Sequence, residues 1–390
     1  GERWCVKRLR IRLSAKAEAK VRGGHPWVFS DSIREENRAG EAGELAVIYD
    51  RKDRFLAVGF YDPESPIRVR VVHCGKPEVI GDSWWREKFT ESLSRRSGVM
   101  QAGVTDGVRL INGESDGWPG AVLDRYGDTL VWKIYSVVWE DMVGLLGELA
   151  SGVDGCQRCV LRRSRNLGGK EVEVIAGSTP SGAVVFMENG LRYEAEVMRG
   201  QKTGFFLDQR DNRARVRDLA VGRSVLNVFS FSGAFSVSAA AGGATSVTDV
   251  DISQHALDSG RRNFVLNRGD VGHCRRNEVK ADAFAWLKET GGSYGVVIVD
   301  PPSMAKREKE REGAMRAYGR LARAAKRVTA PGGVLVMASC SGHVRADEFG
   351  QLVKNEIGGE VFGEWGHAAD HRATFPEANY LKAVYFRVAR

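Results

Sequence analysis

Cysteine is scarce. The chain has six in 390 residues, irregularly spaced. That excludes the dense disulfide framework of a small secreted domain and points to a reducing, cytoplasmic setting. Cys156 and Cys159 form a lone CxxC. No second pair follows at zinc spacing, so no metal site is expected. Long apolar runs are missing too, so no membrane-spanning helix and no membrane partner is expected. The basic N-terminus is not followed by an apolar signal segment, so no secretory leader is expected. No repeat of 20–50 residues and no low-complexity tract occurs.

What is present is ordinary globular composition, 43% hydrophobic and 28% charged, which rules out wholesale disorder. At about 150 residues per domain the length suggests two or three domains. Fifty-eight Lys and Arg against 50 Asp and Glu give a net charge of +8, which permits an anionic partner without demanding one. The excess is clustered. Residues 1–22 hold eight Lys or Arg and two Glu, and residues 305–327 hold nine Lys or Arg and three Glu.

Three textures divide the chain. Residues 1–75 are short alternating runs separated by turn residues, which predicts a small, mostly β domain. Trp27 and Phe29 follow the basic segment there, and read either as core or as an RNA-binding edge. Residues 76–190 mix a helix-like stretch with strand-like runs and a turn-rich loop, Asn112–Gly120. An Asn189-Gly190 hairpin closes this region, with a junction running to about 209. Residues 210–390 alternate strands and helices at the spacing of a doubly wound parallel sheet. Ligands in such sheets bind beyond the carboxyl ends of the strands.

The sharpest residues fall at those ends. The first strand leads into Phe229-Ser230-Phe231-Ser232-Gly233, where Gly233 permits close backbone approach. One glycine is too few for a dinucleotide fingerprint, which counts against NAD. Asp251-Ile252 ends the second strand, where a carboxylate suits a ribose diol; the bland alternative is a helix N-cap, a role open to Ser253 as well. Asp282-Ala283 follows the third strand, with an adenine edge or another N-cap as the choices. Asp300-Pro301-Pro302 ends the fourth: two prolines make a rigid exit for a carboxylate, or simply terminate the strand. Cys340 ends the fifth in Ser-Cys-Ser-Gly, as a nucleophile or as a small buried hydrophobe.

Taken together these motifs resemble class I S-adenosylmethionine-dependent methyltransferases, and more narrowly the bacterial RlmI-type 23S ribosomal RNA (cytosine-5) methyltransferases. The likeness covers nearly the whole chain. His25–Ser30 resembles that family's PUA domain, a small RNA-binding β-barrel. Asn112–Gly120 with Asp124–Asp128 is similar to its central α+β domain. Gln201–Asp211, Ala368–His371, Pro376-Glu377 and Tyr380–Lys382 match further stretches. The resemblance implies three parts: a PUA-like domain at 1–75, a central domain at 76–190 and a Rossmann-like methyltransferase domain at 210–390. It implies S-adenosyl-L-methionine as cofactor and S-adenosyl-L-homocysteine as product. RNA, ribosomal RNA in particular, is the implied partner, with room for a homodimer.

It also assigns roles. Phe229, Ser230 and Gly233 would border the methionine moiety, with Asp208 near the same end. Asp251 would hold the ribose, Ile252 would lie against the adenine, and Asp282 and Ala283 would meet its edge. Asp300 would orient the target base and Cys340 would be the nucleophile. Two departures stand out. Residue 303 is Ser where lysine is common, and no second cysteine follows the prolines to assist product release. The competing expectations are methylation of another atom such as guanine N7, which needs no thiol, and a non-catalytic RNA-binding assembly factor. The Arg316, Arg320, Arg323 and Arg327 spacing places four cations on one helical face, read as a solvated face or a phosphate-contacting stripe.

Overall fold

The computed structural model describes residues 8–389. The first seven residues of the basic 1–22 segment therefore lie outside the described residues. The chain divides into two compact units. One comprises residues 1–184, 195–205 and 370–375, and the other 185–194, 206–369 and 376–390.

The first unit contains two sheets. Six short strands run side by side in the order Trp27–Phe29, Ile67–Cys74, Phe55–Tyr61, Leu45–Tyr49, Leu9–Leu13, Ile33–Glu36. Alternation explains them: Leu9, Ile11 and Leu13 turn inward while Arg10 faces out. A second, five-stranded sheet spans residues 107–177 and packs with the helix Asp82–Ser94. Val47, Val58 and Phe60 of the first sheet share one core with Trp85, Trp118, Trp132 and Trp139. The Trp118 and Trp139 rings stack with centroids 5.6 Å apart. The turn-rich segment 112–120 is a clip within this unit. Asp116 accepts from Arg96 and from the Asn112 amide, and Glu114 accepts from Trp27, Arg70 and the Gly120 amide.

The second unit is built on a seven-stranded sheet. Its strands are β1 (Ser224–Val228), β2 (Ser246–Asp251), β3 (Arg275–Lys280), β4 (Tyr294–Val299), β5 (Thr329–Ser339), β6 (Glu360–Trp365) and β7 (Lys382–Arg387). They lie in the order β3-β2-β1-β4-β5-β7-β6. β1 to β5 are mutually parallel, and β7 runs antiparallel between β5 and β6. Val225, Leu226 and Val228 of β1 and Val296–Val299 of β4 are fully buried, as expected of strands covered on both faces. Helices follow at Ala234–Ala241, Gln254–Leu266, Ala283–Glu289 and Arg311–Val328. The hairpin turn at Asn189 and Gly190 has φ of 50° and 80°, the left-handed pair that a two-residue turn demands. Glu188 at its base accepts from Nε and Nη2 of buried Arg213, each at 2.7 Å.

Candidate active site

The strand order reverses between β1 and β4. In an open α/β sheet that reversal opens a crevice at the carboxyl ends of the strands. The loop after β1 lies there and is unusual. Phe229 and Phe231 adopt left-handed φ values of 59° and 49°, and Gly233 follows at 70°. Aromatic residues rarely tolerate that region, so surrounding contacts must impose it. Asp251 is one such contact: its Oδ2 accepts from the Phe231 amide at 2.9 Å, and its Oδ1 from the Ser253 amide at 2.9 Å. Glycine at 233 is required by φ and by space, since a Cβ would stand 3.1 Å from Asp249 Oδ2. Asp249, buried deeper in β2, is held by Arg276, Ser236 and Asn227.

The two N-cap alternatives resolve differently. Ser253, not Asp251, caps the helix Gln254–Leu266 by accepting from the Ala256 amide at 3.2 Å. Asp251 is thus left at the strand tip with lone pairs to spare, since an ionised carboxylate has about four acceptor sites. Asp282 does cap its helix, through Oδ1 and the Ala285 amide at 2.9 Å. Ile252 projects beside Asp251 with 68% of its surface exposed, and Ala283 is buried.

Cys340 meets the backbone of the Asp300-Pro301-Pro302 exit on the other side of the crevice. Cys340 Sγ lies 3.9 Å from the Pro301 carbonyl oxygen. The Ser341 hydroxyl accepts from the Met304 amide at 3.0 Å and lies 2.8 Å from the Tyr318 hydroxyl, which also accepts from Ser339. Ser341 thereby ties the segment after Asp-Pro-Pro to the Ser-Cys-Ser turn, and Tyr318 bonds both serines of that turn. Burial, and then the neighbouring Asp208 carboxylate, push the Asp300 carboxyl up to about 7 against the pull of Gln209 and Arg213. Asp208 Oδ2 accepts from the Tyr380 hydroxyl at 2.7 Å.

Comparison with known proteins shows the family of the chain. Residues 152–387 match the S-adenosylmethionine-dependent methyltransferase family, and residues 11–73 match a PUA-like domain. The ribosomal RNA large subunit methyltransferase of Deinococcus radiodurans is 51% identical, with 98% of each chain covered. Ribosomal RNA large subunit methyltransferase I of Shewanella denitrificans is 35% identical over 97% of this chain and 99% of its own. The chain belongs to this methyltransferase family. A S-adenosylmethionine-dependent methyltransferase structure from Streptococcus mutans shares the fold with a TM-score of 0.83 at 21% identity, covering 97% of this chain and all of the other.

S-adenosylmethionine is accordingly the cofactor of this methyltransferase. The residues present suit it. Ser230 and Ser232 hydroxyls are buried at the β1 loop without a hydrogen-bond partner, an arrangement that a polar ligand would satisfy. Among the described residues no cluster of ligating side chains could hold a metal ion, and no helix is long and apolar enough to cross a membrane.

The arginine stripe on the helix Arg311–Val328 is largely engaged within the fold. Arg323 pairs with Glu356 at 2.6 Å, Arg327 donates to the Leu287 and Thr290 carbonyls, and Arg320 lies over the Phe284 ring. This fits the solvated-face alternative. Trp27 joins His25 and Phe375 in an edge-to-face cluster, while Phe29 remains 40% exposed. Two residues of the site carried no assigned role in the sequence reading. Tyr318 gives no sequence signal inside an amphipathic helix. Lys382 gives one: a lysine opens the otherwise apolar run Ala383–Phe386.

Proposed function

We propose that this methyltransferase acts on RNA of the large ribosomal subunit, in the cytoplasm, and methylates C5 of a cytosine. The observation that supports the reading is the 3.9 Å approach of Cys340 Sγ to the Pro301 carbonyl, which brings a thiol to the backbone of the Asp-Pro-Pro turn. The names of the full-length relatives support the substrate class, and the PUA-like match supports an RNA-binding N-terminal part. The three-part division at 1–75, 76–190 and 210–390 belongs to this proposal.

When bound, S-adenosylmethionine supplies an electrophilic methyl group. Phe229, Ser230, Gly233 and Asp208 would border its methionine moiety, Asp251 would hold the ribose hydroxyls, and Ile252, Asp282 and Ala283 would frame the adenine. Cytosine C5 is a poor nucleophile. The Cys340 thiolate gives an electron pair to C6, and density moves to C5, which takes the methyl group. The C5 proton passes to water, its C–H pair restores the C5–C6 double bond, and the C6–S bond breaks with its pair returning to sulfur. Asp300 meets the base edge. A protonated carboxyl donates to cytosine N3 and accepts from the 4-amino group, and its elevated titration keeps that form available near neutrality. The base must be unstacked to reach the site.

The test uses unmodified ribosomal RNA, the methyl donor, wild type and Cys340→Ala, with nucleosides identified by mass spectrometry. 5-Methylcytidine from wild type alone is expected. RNA carrying 5-fluorocytidine, which cannot lose a proton from C5, should trap the wild type covalently. Methyl on guanine N7, or full activity without Cys340, overturns the reading.

A further inference from the structure

Lys382 is an expensive residue to bury. It opens β7 directly opposite Ser339 of β5 and keeps 5% of its exposure. Its Nζ donates to the Ser341 carbonyl at 2.6 Å and to the Tyr380 carbonyl at 2.7 Å. Both acceptors are backbone, and neither carries a full charge. An ammonium has three donors, and two are used. Removing a cation from water costs several kcal/mol unless an anion compensates. The residue between Ser339 and Ser341 is Cys340. The lysine is therefore gripped by the turn that presents the thiol.

We propose that Lys382 is the counter-ion of the Cys340 thiolate, a positioning residue that draws the thiol into its ionised form before it meets the base. The inference rests on the cytosine-5 reading for its purpose. Burial lowers the Lys382 ammonium to about 8 and the Cys340 charge acts to raise it, so the lysine stays largely protonated at pH 7. Two other titratable groups act at this turn. Tyr318, from the long helix, is raised by burial and stays neutral. Asp300, from the β4 exit, is largely neutral below pH 7 and, like Cys340, acts on Tyr318. Proton accounting is simple. The thiol proton leaves to solvent, the sulfur pair forms the bond to C6, and Lys382 keeps its own proton throughout. When the C6–S bond breaks, the returning thiolate finds the same ammonium.

The experiment is the rate of Cys340 alkylation by iodoacetamide against pH, read by peptide mass spectrometry on the full chain. In wild type the midpoint should fall below the ordinary thiol value of about 8.5. Lys382→Gln keeps a donor for the carbonyls and removes the charge. Its alkylation at pH 7 should slow about tenfold, the effect of a thiol titrating one pH unit higher. Lys382→Arg, which keeps the charge, should restore most of the rate. A wild-type midpoint at or above the ordinary value overturns the proposal, even if neither variant folds. A folded Lys382→Gln that reacts at the wild-type rate also overturns it. The readout needs neither RNA nor methyl donor. A Lys382-dependent midpoint with methyl found elsewhere than cytosine C5 refutes the proposed function and leaves the ion pair standing. 5-Methylcytidine with a thiol indifferent to Lys382 does the reverse.

Discussion

Replacing Asp300 with Asn should stabilise this protein more at pH 8 than at pH 5. The carboxyl titrates at about 7 in the fold, against an ordinary 3.8. A carboxyl raised by folding holds its proton more tightly when folded than when unfolded. Stability therefore declines as pH rises from the unfolded value to the folded one, and is flat beyond. Between pH 5 and pH 8 wild type should lose on the order of 3 kcal/mol from this group, at 1.36 kcal/mol per pKa unit. Asp300 is only half-buried, and water screens part of that, leaving roughly 1–2 kcal/mol. Asn cannot ionise and avoids the loss. The assay is urea unfolding of both proteins at the two pH values, comparing the difference of differences. That comparison removes any pH-independent effect of the amide. An Asn advantage that is equal at pH 5 and pH 8 would refute the elevated carboxyl, and with it the protonated partner proposed for cytosine N3.

Other outcomes follow from the same geometry. Methylation by wild type should decline as pH rises through about 7, where Asp300 ionises; a rate that keeps climbing to pH 9 contradicts its role as donor to the base. Asp251→Ala removes the acceptor for the Phe231 and Ser253 amides as well as the proposed ribose ligand, so cofactor affinity should fall at least tenfold by titration calorimetry. Arg213→Met strands the buried Glu188 carboxylate and should cost about 3–5 kcal/mol in urea unfolding. Gly233→Ala must adopt φ near 70° and push against Asp249, so a melting temperature equal to wild type would contradict the loop geometry.

Much of the second unit was legible because periodicity and caps agree there. The alternation expected over 210–390 appears as β1 to β5 with the helices Ala234–Ala241, Gln254–Leu266, Ala283–Glu289 and Arg311–Val328. Carboxylates at strand tips followed from the βα rhythm alone. The choice between Asp251 and Ser253 as N-cap did not, because both residue types cap helices equally well and only coordinates show which amide each one meets. The antiparallel course of β7 was illegible for a related reason. An apolar run buried on both faces reads the same in either direction. The left-handed Phe229 and Phe231 lay beyond reach too, since nothing in an aromatic side chain announces a conformation that its neighbours force upon it.

The place of β7 has a consequence for the order in which this molecule can be made. Although it is the last strand in the sequence, it is not an edge of the sheet: it separates β5 from β6 and bonds to both. Until residues 382–387 leave the ribosome, β6 has no neighbour and Cys340 follows a strand, β5, whose flank is open. The carboxyl ends of β1 to β4 can assemble earlier, so the crevice for the cofactor precedes the chemistry in time. A nascent chain stalled before residue 382 would thus hold the proposed methyl-donor site while lacking the lysine and the strand that complete the thiol's surroundings.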